Sequence, residues 1–154
     1  MSVTTRLEEL KIELPTPSEP RFVYVPCKRT GNLVYTSGQD CRKNGELVHK
    51  GKLGSDLTME EGQEAAEVAV INCLSVIQAE IGSLDHIKQV VKMLAFVNSA
   101  PGFSDQPYVI NAASTLLEKI LGEEKGKHAR SAIGTSELPF DTPVEIELIV
   151  EVEG

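Results

Sequence analysis

The sequence predicts a single α+β domain: a mixed β-sheet with two helices packed on one face, plus a short helix at the N-terminus. Three observations lead there. The chain has 154 residues, the size of one domain. Residues 59–81 carry apolar side chains at helical spacing, whereas residues 143–152 alternate as a strand does. Between and before them, β-rich runs and a second helical stretch follow one another with no repeat and no internal linker.

Taken in order, residues 3–10 predict a short helix, with Thr5-Arg6-Leu7-Glu8 at capping-box spacing and Leu7 and Leu10 on one face. Pro15, Pro17 and Pro20 then impose an extended lead-in, so residues 1–20 form an N-terminal extension of a domain spanning 1–154. Residues 22–25 (FVYV) and 32–37 (NLVYTS) read as short strands, separated by Pro26 and the turn Thr30-Gly31-Asn32. Asn44-Gly45 predicts a tight hairpin. The long helix starts on the capping box Thr58-Met59-Glu60-Glu61 and stops at Gly82. Ala66, Val70, Cys73, Ile77 and Ile81 form its apolar stripe.

Residues 87–98 are β-branched and apolar, hence a strand. A second helix over 106–121 has Asp105 as its cap, Pro107 in its first turn and Gly122 past its end. Residues 130–136 form a further strand. In the final strand Val144, Ile146, Leu148, Val150 and Val152 face the core, and Glu145, Glu147, Ile149 and Glu151 face away. Two helices cover one face of such a sheet and leave the other bare, which points to self-association.

Composition narrows the function. Fifteen Lys plus Arg against 23 Asp plus Glu leave a net charge of −8. That balance repels phosphate backbones and anionic membranes, and no basic stripe offsets it. Cys27, Cys41 and Cys73 are odd in number and widely spaced, the usage of a reducing compartment. With no apolar core for a signal peptide and no run approaching a membrane span, the expectation is a cytoplasmic protein. No phosphate loop, dinucleotide fingerprint or nucleophile elbow is present, and His49, His86 and His128 lack metal-ligand spacing. Neither a metal nor a cofactor is expected.

Three places carry candidate chemistry. Thr36-Ser37-Gly38-Gln39 ends an apolar strand; it is either a plain turn or a place where Gly38 admits a ligand to the backbone and Ser37 offers a hydroxyl. Arg130 opens the stretch Ser131-Ala132-Ile133; it is either a solvated charge or a planar fork for a carboxylate. Glu145 lies on the non-core face of the last strand. In water it is an ordinary strand-face acid, but under a second subunit it is a desolvated carboxylate suited to proton transfer.

Together these residues resemble a known family. Gly31-Asn32-Leu33-Val34-Tyr35-Thr36-Ser37-Gly38-Gln39 is similar to the N-terminal signature of the YjgF/Rid proteins, once labelled L-PSP endoribonucleases. HARSAIGTSELPFDTPVEIE, residues 128–147, resembles their closing signature. The resemblance covers most of residues 20–152 and marks a divergent branch, with an added N-terminal helix and a longer stretch from Leu94 to Arg130. It implies a chorismate-mutase-like fold, homotrimers with clefts between subunits, and cofactor-free hydrolysis of reactive enamines and imines, such as 2-aminoacrylate, to 2-keto acids and ammonia. On that analogy Arg130 clamps the substrate carboxylate and Glu145 positions the attacking water. Tyr24, Ser37, Gly38 and the backbone at Ala132 line the cleft. The chain departs from the family at Ala132, where many members have cysteine, and at Pro107, where they have a cleft asparagine; Asn111, one turn on, is the candidate substitute. The alternatives are a small-carboxylate binding protein without turnover and an endoribonuclease, the latter disfavoured by the −8 charge.

Overall fold

Caps and turns account for where most elements begin and end. The computed structural model describes residues 1–17, 19 and 22–154. Its elements are α1 (Val3–Glu9), β1 (Cys27–Thr30), β2 (Leu33–Thr36), β3 (Arg42–Lys43), β4 (Glu46–Leu47), α2 (Met59–Ile81), β5 (Ile87–Asn98), α3 (Gln106–Leu121), α4 (Glu123–Gly126), β6 (Ala129–Thr135) and β7 (Val144–Val152). The α2 capping box is complete: Glu61 N–H donates to Thr58 Oγ1 at 3.1 Å, and Thr58 N–H donates to Glu61 Oε1 at 2.9 Å. Asn44 and Gly45 have φ of 55° and 83°, as a two-residue primed turn requires, and close the β3–β4 hairpin.

Five strands form one sheet in the order β1-β2-β7-β5-β6. The β5–β6 pair is parallel, as the α3–α4 crossover between them allows, and the β1–β2, β2–β7 and β5–β7 pairs are antiparallel. Helices α2 and α3 cover one face. Val144, Ile146, Leu148, Val150 and Val152 of β7 are buried beneath them, while the alternate residues Glu145, Glu147, Ile149 and Glu151 are only half-buried on the other face. That open face also presents Leu94, Phe96, Tyr35 and Ile133, the last two 42% and 46% exposed.

Several expectations need correcting. The cap of α1 is Ser2, whose Oγ accepts from Thr5 N–H at 3.1 Å, so Thr5 lies inside the helix. Residues 22–25 are not a strand. Strand β1 pairs with β2 only from Cys27, opposite Thr36, so the run before Pro26 has no ladder to join and stays exposed. Asp105 makes no side-chain cap; its carbonyl instead accepts from Tyr108 N–H at 3.0 Å. Of the lead-in prolines, Pro20 lies outside the described residues, while the Pro15 carbonyl accepts from Ser75 Oγ at 2.6 Å and holds the lead-in against α2.

Candidate functional site

Arg130 stands on the edge strand β6 opposite Met93, in one cross-strand row with Met93 and Leu148, both buried under the helices, so it points towards the helices. There α3 meets it. Arg130 Nη1 donates to Asn111 Oδ1 at 2.9 Å and to Ser114 Oγ at 3.2 Å. Both partners are neutral, and among the described residues no carboxylate lies within ion-pair distance of the guanidinium. Partial burial lowers the Arg130 pKa from its ordinary value, yet a guanidinium stays charged at any working pH. Partial desolvation of a cation without an anion carries some cost, which a carboxylate ligand would offset. Ala132 follows on the same face opposite Ala95, packed against the core beside it.

A second group of residues gathers at the other end of β7. Gln39 and Ile146 exchange backbone hydrogen bonds of 2.8 and 2.9 Å, which lays the Ser37–Gln39 turn alongside Glu145. A Cβ at Gly38 would lie 2.8 Å from Glu145 Cδ, so what approaches this glycine is the protein's own carboxylate. Burial raises the Glu145 pKa, with Asp40 and Glu147 adding like-charge repulsion. The Ser37 hydroxyl donates to Val25 O at 2.6 Å, and Ser37 N–H donates to Pro26 O at 2.8 Å. Ser37 therefore pins the segment carrying Tyr24, which is half exposed. Tyr24 and Gly38 also line a cleft of about 840 Å³ against α2 and the β3–β4 hairpin, to which Arg130, Ala132 and Glu145 do not contribute.

The family described as "YjgF/chorismate mutase-like, putative endoribonuclease" matches residues 4–152. The chain belongs to this YjgF family. It is 41% identical over 152 residues to Protein TCP17 of Trypanosoma cruzi, covering 99% of this chain and 95% of that one. A crystal structure of an Agrobacterium tumefaciens protein of unknown function superposes with a TM-score of 0.91 at 41% identity, covering 98% of this chain and 92% of that one. More distantly, a 2-iminobutanoate/2-iminopropanoate deaminase of Dermatophagoides farinae is 28% identical over 142 residues, 92% of this chain and 95% of that protein.

Within one copy of this YjgF-family chain the two groups do not meet. Glu145 pairs with Phe96 on the open face, and Arg130 pairs with Met93 on the helix face. An ion pair between Arg130 and Glu145 or Glu147 is therefore absent within one copy. Asn111 reaches Arg130, accepting its hydrogen bond at Oδ1. Ser114 and His128 were missed, because a serine inside a helix and a histidine without metal spacing carry no motif. Their only sequence signal is proximity: His128 stands two residues before Arg130. All three cysteines are free and buried, and burial pushes the Cys27 thiol up to about 12. Among the described residues no helix is long and apolar enough to cross a membrane.

Proposed function

We propose that the protein is a hydrolytic deaminase of small 2-imino and enamino acids, with Arg130 as its carboxylate anchor and Glu145 as its proton-transferring group. The observation that supports it most is the state of Arg130: a partly buried guanidinium held by two neutral groups and left without an anion. Fold membership and the distant deaminase relative are consistent with this chemistry. In it, water adds to C2 of the imine while Glu145 accepts one of its protons, the C=N electron pair moves to nitrogen, and that proton follows. The carbinolamine then collapses to the 2-keto acid: Glu145 takes the hydroxyl proton as the C=O bond forms, the C–N bond breaks, and the proton passes to the departing nitrogen, which leaves as ammonia. A carboxylate of raised pKa suits both the acceptance and the return of the proton.

Because Arg130 and Glu145 sit on opposite faces of one sheet, the complete site requires a second copy, whose open face meets the β6 edge of the first. A closed trimer with three such clefts meets this requirement and covers the exposed Tyr35 and Ile133. The test is ammonia release from 2-aminoacrylate generated in situ. The wild-type protein should accelerate it, and Arg130→Ala should not. Equal rates with and without protein would remove the deaminase reading, and Arg130-dependent cleavage of labelled RNA would favour a ribonuclease instead.

A further inference from the structure

The Arg130 side chain is itself held from behind. Gly126 packs directly on α3: a Cβ there would lie 2.7 Å from Glu118 Cα and 2.8 Å from Leu117 O. This close approach brings the start of β6 against the helix and sets His128 beside Ser114. His128 Nδ1 lies 2.6 Å from Gly126 O, and Nε2 lies 2.9 Å from Ser114 Oγ. A carbonyl can only accept, so Nδ1 carries the hydrogen, and in the neutral ring Nε2 then presents its lone pair. The Ser114 hydroxyl then donates to Nε2, a far better acceptor than the Met93 sulfur 3.9 Å away. With its hydrogen so directed, Ser114 Oγ turns a lone pair towards Arg130 Nη1 at 3.2 Å.

With the ring neutral, every donor direction in this chain is thus determined, from Arg130 to Ser114 to His128 to the Gly126 carbonyl. Nη1 has two hydrogens, and Asn111 and Ser114 take both. The Nε–H and Nη2 edge is left with no partner among the described residues. That edge offers two parallel N–H groups, which can grip a carboxylate bidentately.

We infer that His128, acting through Ser114, is a positioning residue that holds Arg130 with its Nε–Nη2 edge turned to the ligand carboxylate. The inference rests on the carboxylate-anchor reading of Arg130 and adds the device that pre-orients it. A side chain fixed before binding loses less freedom when the ligand arrives, so the gain appears as affinity.

The experiment compares wild type with His128→Phe, Ser114→Ala and His128→Gln, the last keeping an acceptor near the Nε2 position. Imidazole nitrogen NMR of the free wild-type protein should show hydrogen on Nδ1 and none on Nε2. Relaxation of the Arg130 Nε–H should show an ordered side chain in wild type and His128→Gln and a mobile one in His128→Phe and Ser114→Ala. Affinity for 2-oxobutanoate should fall about tenfold in the two disrupting variants, as loss of one orienting hydrogen bond predicts, and largely recover in His128→Gln. An Nε2–H tautomer, or an equally ordered Arg130 in every folded variant, would overturn the proposal. Failure of the wild type to bind 2-oxobutanoate while the ordering results hold would instead count against the deaminase reading and leave the relay standing.

Discussion

Adding one methyl group at Gly38 should disable the site through Glu145 alone. The new Cβ would lie 2.8 Å from Glu145 Cδ and 3.0 Å from Cγ and Oε2. Carbon pairs settle near 3.5 Å, so the carboxylate must retreat by about 0.7 Å. Displacing a catalytic group by about 1 Å costs roughly a hundredfold in rate, so Gly38→Ala should lose between about tenfold and a hundredfold. Folding should suffer little, because Gly38 lies outside the left-handed region and alanine accepts its backbone conformation. The assay is ammonia release from 2-aminoacrylate, with the melting temperature followed in parallel. A double-mutant cycle sharpens it: in a Glu145→Gln background the Gly38→Ala change should have almost no further effect. A Gly38→Ala protein with wild-type rate would refute the role given to the Gly38–Glu145 contact.

Other outcomes follow from the same geometry. Glu145 has a raised folded-state pKa, so the stability it contributes is present below its unfolded value and lost as pH rises through the folded one. Glu145→Gln should therefore gain in melting temperature relative to wild type as pH rises above the ordinary carboxylate range; a pH-independent difference would contradict the burial of that carboxylate. Replacing Cys27, Cys41 and Cys73 by alanine should leave specific activity of the folded protein unchanged, because all three thiols are buried and none lines the Arg130 group. Loss of activity in a folded triple variant would point to a thiol mechanism. Light scattering should give about three times the 16.7 kDa chain mass, and a monomer at micromolar concentration would remove the inter-subunit site.

The fold was legible where a local rule coincides with the tertiary structure. The capping box at Thr58, the Asn44-Gly45 turn and the strict alternation of β7 each state their own geometry, and each is found. The apolar run 22–25 misled, because β-propensity says nothing about whether a partner strand extends that far. In the same way, the sequence suggested Arg130 and Glu145 individually but could not tell that they lie on opposite faces of the sheet. Facing depends on register, and the register of β6 against β5 depends on how α3 and α4 pack. The His128–Ser114–Arg130 relay was invisible for a related reason: it joins a helix interior to a strand start across a contact that only Gly126 permits.

Calorimetric titration with 2-oxobutanoate tests most directly whether Arg130 anchors a ligand carboxylate. A small 2-keto acid has little apolar surface, so its carboxylate must supply much of the binding. Truncating one partner of a desolvated charge pair costs on the order of 2–5 kcal/mol, and about 1.4 kcal/mol is a factor of ten. Arg130→Ala should therefore bind about thirtyfold more weakly or worse. Arg130→Lys should recover only part of the loss, since the ammonium keeps the charge but not the fork. Both variants should melt close to wild type, because the guanidinium has no carboxylate partner to strand. A folded Arg130→Ala protein that binds 2-oxobutanoate with wild-type affinity would show that Arg130 does not anchor the ligand.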